Sequence, residues 1–173
     1  MARFRSLVLG VTAGLVLSGA ALAGDYDTPT YSSAGFDWDG FYAGIGVSGS
    51  SLSNGVLTDT TGYIDVIAGA NYTNGNFLIG LEGWFGGYSY AGASGYGGGV
   101  EARAGYLASD DVLVYAGVGG YFYDAGGRYT TLGAGVEFAL SDQLTIDTEY
   151  KYWGWSTTGY TGHSVGASVL WHF

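Results

Sequence analysis

The stretch Leu144-Thr-Ile-Asp147-Thr-Glu149-Tyr-Lys151-Tyr-Trp-Gly154 decides the fold. Asp147, Glu149 and Lys151 share one parity, and the residues between and beside them, Ile146, Thr148, Tyr150 and Tyr152, carry no charge. Val100-Glu101-Ala102-Arg103-Ala104-Gly105-Tyr106 repeats the pattern. Side chains on a strand point alternately to opposite faces, so a period of two means a strand with one charged face and one apolar face.

Working outward, eight segments of this kind are predicted, near residues 41–51, 62–72, 77–87, 96–107, 112–123, 128–139, 144–154 and 163–173. No window holds a helical period. Tight connections are expected at 73–76, 108–111 and 140–143, where Asn74-Gly75 is a strong hairpin signal because both residues tolerate positive φ. The other connections read as longer, with 52–61 the longest. Short turns at one end and longer loops at the other fit an antiparallel up-and-down barrel, an all-β fold.

The two faces identify the solvent. One parity reads Phe41, Ala43, Ile45, Val47; Ile64, Val66, Ala68; Ile79, Leu81, Phe85; Ala102, Ala104; Val114, Val118; Leu132, Val136; and Val165, Val169, Trp171. None of these residues is charged. The opposite parity holds Asp65, Glu82, Glu101, Arg103, Glu137, Asp147, Glu149 and Lys151. A soluble sandwich would turn the charged face to water. Here that face is diluted with glycine and tyrosine, and the apolar face carries aromatic residues near segment ends, as at lipid headgroups. Ten to twelve residues at about 3.3 Å each, tilted about 45°, span roughly 25 Å, the height of an outer-membrane apolar band. A transmembrane barrel in the outer membrane is therefore expected. Eight strands enclose a lumen just wide enough to be filled by side chains. The eight charged residues above are expected to form an ionic network there, with little conductance.

Composition bounds the rest. The chain has 173 residues, 34 glycines, one proline, no cysteine and a formal net charge of −10 at pH 7. Without cysteine there is no disulfide scaffold and no thiolate chemistry. Without a basic stripe, nucleic acid is not an expected partner. Residues 1–23 read as a secretory signal peptide: Arg3 and Arg5, an apolar run, then Ala21-Leu22-Ala23 before Gly24. Ala21, Ala23 and Gly24 mark the expected cleavage site. Residues 24–37 read as a short acidic periplasmic segment, and 38–173 as the barrel. Both termini are expected in the periplasm.

Phe36-Asp-Trp-Asp-Gly-Phe-Tyr-Ala-Gly-Ile-Gly-Val47, the stretch Asn71-Tyr72 through Gly75-Asn-Phe-Leu-Ile-Gly-Leu-Glu-Gly83, and Val165-Gly-Ala-Ser-Val-Leu-Trp-His-Phe173 carry a resemblance. They are similar to small outer-membrane barrels of the porin and surface-antigen type, the OmpA-like transmembrane barrels. The resemblance spans 36–173. It implies an eight-stranded outer-membrane barrel with a role in envelope integrity or surface contact, and no catalytic residues. Val169, Trp171 and Phe173 resemble the last-strand signal read by the outer-membrane barrel assembly machinery. That machinery and outer-membrane lipid are the expected partners. Nothing matches the peptidoglycan-binding domain that longer relatives carry after the barrel.

Other motifs carry blander readings. Gly44-Ile-Gly46-Val-Ser-Gly49 matches a dinucleotide fingerprint in letters, but a loop follows where a helix is required. His163 and Ser164 suggest lipid-acting chemistry, yet neighbours on a strand face opposite ways. The two histidines lie too far apart for a metal site. Asp25, Asp27, Asp37 and Asp39 lack a calcium-loop pattern. No enzyme activity, cofactor or metal is expected. The expected function is structural, with a narrow diffusion channel or a loop-borne surface interaction module (52–61, 88–95, 155–162) as alternatives.

Overall fold

The computed structural model describes residues 35–173. The signal peptide, its cleavage residues Ala21, Ala23 and Gly24, and Asp25 and Asp27 lie outside the described residues. Eight antiparallel strands follow one another around a closed barrel: β1 (Gly40–Ser53), β2 (Thr58–Asn74), β3 (Phe77–Tyr90), β4 (Ala93–Ser109), β5 (Val112–Tyr123), β6 (Arg128–Ala139), β7 (Leu144–Gly154) and β8 (Thr161–His172). β8 closes on β1 from Tyr42↔His172 to Ser53↔Thr161. Closure removes every sheet edge, which a lipid-exposed backbone requires.

The tight turns stand where the sequence placed them. Gly75 adopts φ +61° between β2 and β3, the conformation that its hairpin needs. The opposite end corrects the reading. Residues 52–61 do not form the longest loop: Leu52↔Asp59 and Ser53↔Thr58 continue the ladder, and only 54–57 connect. Residues 88–95 are strand as well, closed by Ala91 and Gly92, both at positive φ. The longest connection among the described residues is 155–160. Serine, threonine and glycine read as loop, but here they pair because the strands run on beyond the apolar band, where polar residues on the outer face cost nothing.

Exposure separates the two parities. Ile45, Val66, Ile79, Leu81 and Val118 are each more than half exposed, while Glu101, Arg103 and Glu137 are buried. An apolar band of that size suits hydrocarbon and not water. Two aromatic belts rim it. Phe41, Tyr72, Phe77, Tyr106 and Trp171 stand at the turn end, and Phe85, Tyr96, Phe122 and Tyr150 toward the loop end. One charge shares the outward parity: Arg128, at the loop end of β6, where it clears the apolar band.

Candidate functional site

Among the described residues, buried polar and charged side chains are concentrated in the lumen, and they are layered. At its waist, Arg103 on β4 is set between Gly80 on β3 and Gly117 on β5. Lys151 on β7 lies beside Gly133 on β6. The glycines make room: a Cβ added at Gly135 would lie 2.5 Å from the Tyr115 ring, and one at Gly117 would overlap the Glu101 carboxylate. A narrow barrel with large inward side chains has no other way to pack them.

Two ion-pair groups result. Arg103 reaches Glu82 at 3.6 Å and Glu137 at 3.3 Å, and its Nη2 donates to Asn71 Oδ1 at 3.0 Å. Its guanidinium is flanked by the rings of Tyr42 at 4.8 Å and Tyr115 at 5.1 Å. Lys151 pairs with Glu149 at 2.6 Å and Glu101 at 3.3 Å, and sits 4.1 Å from the centre of the Trp84 ring. Glu137 also accepts from Thr145 Oγ1 at 2.6 Å and meets His172 Nε2 at 3.1 Å. Asp147 accepts from Tyr115 at 2.9 Å, and Glu82 from Tyr42 at 2.8 Å. Asp65 Oδ1 has no partner among the described residues. A cavity of about 80 Å³ borders this layer, lined by Asp65, Glu82, Asp147, Glu149 and Lys151 among others.

Of the eight charged residues expected in the network, Glu82, Glu101, Arg103, Glu137, Glu149 and Lys151 meet in ion pairs and Asp147 is held by Tyr115, while Asp65 lines the cavity without a partner among the described residues. Asn71, Tyr42, Tyr115, Thr145, Ser168 and His172 were not in the expected network. Their inward parity was visible, yet which carboxylate each meets depends on inter-strand register and barrel shear. Among the described residues, no group of three or more His, Cys, Asp or Glu side chains is arranged to hold a metal ion.

Both mouths are packed with rings. At the turn end, Trp38 is buried with Leu78, Leu113 and Tyr115, and Phe36 joins them. Trp38 Nε1 donates to the Asp110 carbonyl at 3.0 Å, and Asp39 accepts from Thr73 Oγ1 at 2.7 Å. Phe36, at the end of the acidic segment, packs on Trp38 at the start of the barrel, the two alternating with Asp37 and so sharing a side. At the loop end, Tyr63, Tyr121, Tyr129, Trp153 and Leu52 form a second layer, with Tyr88, Tyr123 and Tyr160 against it. Tyr63 and Tyr123 share a hydroxyl hydrogen bond at 2.5 Å.

The remaining motifs resolve on position. Gly44, Gly46 and Gly49 lie within β1, so no phosphate-cradling turn exists there. Ser164 faces the lumen and accepts from Trp153 Nε1 at 2.8 Å. His163 is on the outer face, hydrogen-bonded to Tyr150. Val169, Trp171 and Phe173 project outward along β8 and its end.

A closed cylinder of eight strands, apolar outside and ionic within, defines an integral outer-membrane β-barrel. Solved structures share this fold. Ail, the attachment invasion locus protein of Yersinia pestis, superposes with a TM-score of 0.56 at 14% identity, covering 78% of this chain and 99% of Ail. Neisserial surface protein A does so with 0.52 at 16% identity, covering 77% and 97%. A de novo designed transmembrane β-barrel gives 0.50 at 18% identity, covering 80% and 99%. These likenesses are of fold alone. The chain belongs to the family of the 31 kDa outer-membrane immunogenic protein of Brucella. It is 32% identical to the proteins of that name from Brucella melitensis and Brucella suis, over 68% of this chain and 71% of each relative. No protein-family model matches the chain.

Proposed function

We propose that this outer-membrane barrel is a structural component of the envelope whose lumen is closed to solutes. Both termini would lie on the periplasmic side, with the connections at 54–57, 91–92, 124–127 and 155–160 at the cell surface. One observation carries the reading: the Arg103 side chain, 1% exposed, is gripped from β3 and β6 at once, by Glu82 and Glu137. A bridged guanidinium is a bolt across the bore. The ring layers above and below leave no wide path, and the small cavity at the waist is sized for a few waters. No catalytic residue is assigned, since Ser164 and His163 face opposite sides of the wall. Val169, Trp171 and Phe173 are assigned the role of assembly signal.

A second reading rests on the charge count at the waist. Asp65, Glu82, Glu101, Glu137, Asp147 and Glu149 share the lumen with two basic side chains, Arg103 and Lys151, and an acidic lining favours cation passage. Recordings of the protein in planar bilayers decide between them. A closed lumen predicts a flat baseline at neutral pH. Discrete, reproducible conductance steps would replace it with the cation path.

The name of the relatives, outer-membrane immunogenic protein, supports a reading in which these connections would be exposed at the cell surface. The short loops make any such contact a small one.

A further inference from the structure

We propose that the loop-side mouth of the lumen is a binding site for a small organic cation, an alkylated ammonium group. A bowl of about 330 Å³ opens there, within the size range of small-molecule sites. Its walls are the inward-facing ends of the strands that run past the apolar band. Tyr88 and Tyr90 come from β3, Tyr123 from β5, Tyr129 from β6, Tyr160 from the 155–160 connection and Asp59 from β2.

The rings stand at angles to one another, as a cage requires. Tyr88 and Tyr123 meet edge to face at 4.9 Å and 89°. Tyr123 and Tyr129 do so at 5.7 Å and 76°. Tyr90 stacks on Tyr88 at 6.2 Å. A cation entering such a box meets negative ring faces from more than one side. Hydroxyl contacts hold the rings in place: Tyr63 with Tyr123 at the floor, and Tyr129 with Thr158 at 2.7 Å on the wall. A preorganised cage loses little entropy on binding.

Charge selects the occupant. Asp59 lines the bowl. Asp124 stands behind Tyr88, accepting its hydroxyl at 2.8 Å, which makes that ring more electron-rich. No lining residue is basic. Arg128 points to the outer face, and Lys151 is engaged below by Glu149 and Glu101. An anion would find two carboxylates and no counter-charge. A neutral sugar would stack on the rings and donate hydroxyls to the carboxylates, but it would leave their charge uncompensated. A quaternary ammonium answers rings and charge at once and needs no hydrogen bond from the lining hydroxyls, of which that of Tyr88 is given to Asp124 and that of Tyr129 meets Thr158.

The test is equilibrium dialysis of radiolabelled choline against the full chain folded in non-ionic detergent, with heat-modifiable gel mobility as the check on folding. Saturable binding is expected, undisplaced by the neutral isostere 3,3-dimethylbutanol and displaced by tetramethylammonium. Tyr90→Leu should weaken binding by roughly 2- to 30-fold, the range of one cation–π contact. Asp59→Asn should weaken it too, and Tyr150→Leu, a ring on the lipid face, should not. Absence of saturable binding in the millimolar range overturns the proposal even if no variant folds. So does equal displacement by the neutral isostere, which would make the bowl a stacking site for neutral ligands. Neither outcome touches the closed-lumen reading, which rests on conductance.

Discussion

In the waist, the Arg103 side chain is 1% exposed and meets Glu82, Glu137 and Asn71. At the loop-side mouth, Asp124 lies on the exposed 124–127 connection, held by the Tyr88 hydroxyl and by backbone N–H groups of Tyr96 and Ala125. Both regions pair a charge with tyrosines and donors from strands far apart in sequence. They differ in what surrounds the pair. Hydrocarbon and protein around the waist leave few alternatives to each contact, so an orphaned charge there is costly. Water at the mouth replaces whatever is lost. The same chemistry therefore locks the barrel in one place and only tunes a surface in the other.

The largest way to break that contrast is Arg103→Ala. It strands Glu82 and Glu137 within the lumen, and the expected loss is about 3–5 kcal/mol of unfolding free energy. Denaturant unfolding of the protein in lipid vesicles measures it. Adding Glu82→Gln and Glu137→Gln to Arg103→Ala should recover much of the loss, since neutral groups need no counter-charge. Recovery would show that the cost lies in the orphaned carboxylates and not in lost packing. A smaller effect is expected one residue away. Ala102 pairs with Leu81 and Val118 on the lipid face, so Ala102→Arg should cost about 2–4 kcal/mol by placing charge in hydrocarbon. The same assay checks it, and unchanged stability would mean that water, not lipid, wets that face.

That neighbouring residues can hold opposite fates was legible in the sequence, because parity is local. Glu101, Ala102 and Arg103 announce their faces without help from the rest of the chain. The partners were not legible. Arg103 takes its amide acceptor from Asn71, 32 residues away, and its room from Gly80, where an added Cβ would lie 3.1 Å from the Arg103 Cγ, through a register that no single strand encodes. The strand ends depart from their sequence pattern for a different reason. Ser51 to Thr61 is rich in residues favoured in turns, yet Thr60 and Thr61 pair with Ser51 and Ser50. Ser51 and Thr60 stand on the outer face above the apolar band, and Ser50 and Thr61 face the lumen, where the Ser50 hydroxyl is hydrogen-bonded to that of Tyr63. Phe36 and Trp38 were hidden by the four aspartates of the N-terminal segment, although their spacing already put both on one side. Arg128 shares the apolar parity of β6 but sits at the end of its strand, where parity binds least.

The smallest effect belongs to Asp124, and pH isolates it. The Tyr88 hydroxyl, the largest cause, together with the backbone donors, holds its carboxyl below the usual aspartate value. A depressed folded pKa means that the unfolded chain binds the proton more readily. The contribution is therefore complete above about pH 4, the ordinary aspartate value, and is lost as pH falls through the lower folded value. Tyr88→Phe keeps the ring and removes the donor. The variant should be slightly less stable than the parent at pH 6, and the gap should close in strong acid, where Asp124 is protonated in both. Thermal unfolding in non-ionic detergent at the two pH values reads the difference. A gap that persists in acid would assign it to ring packing at the mouth. A large gap at pH 6 would mean that this carboxylate is far less hydrated than its exposed connection implies, and the contrast with the waist would collapse.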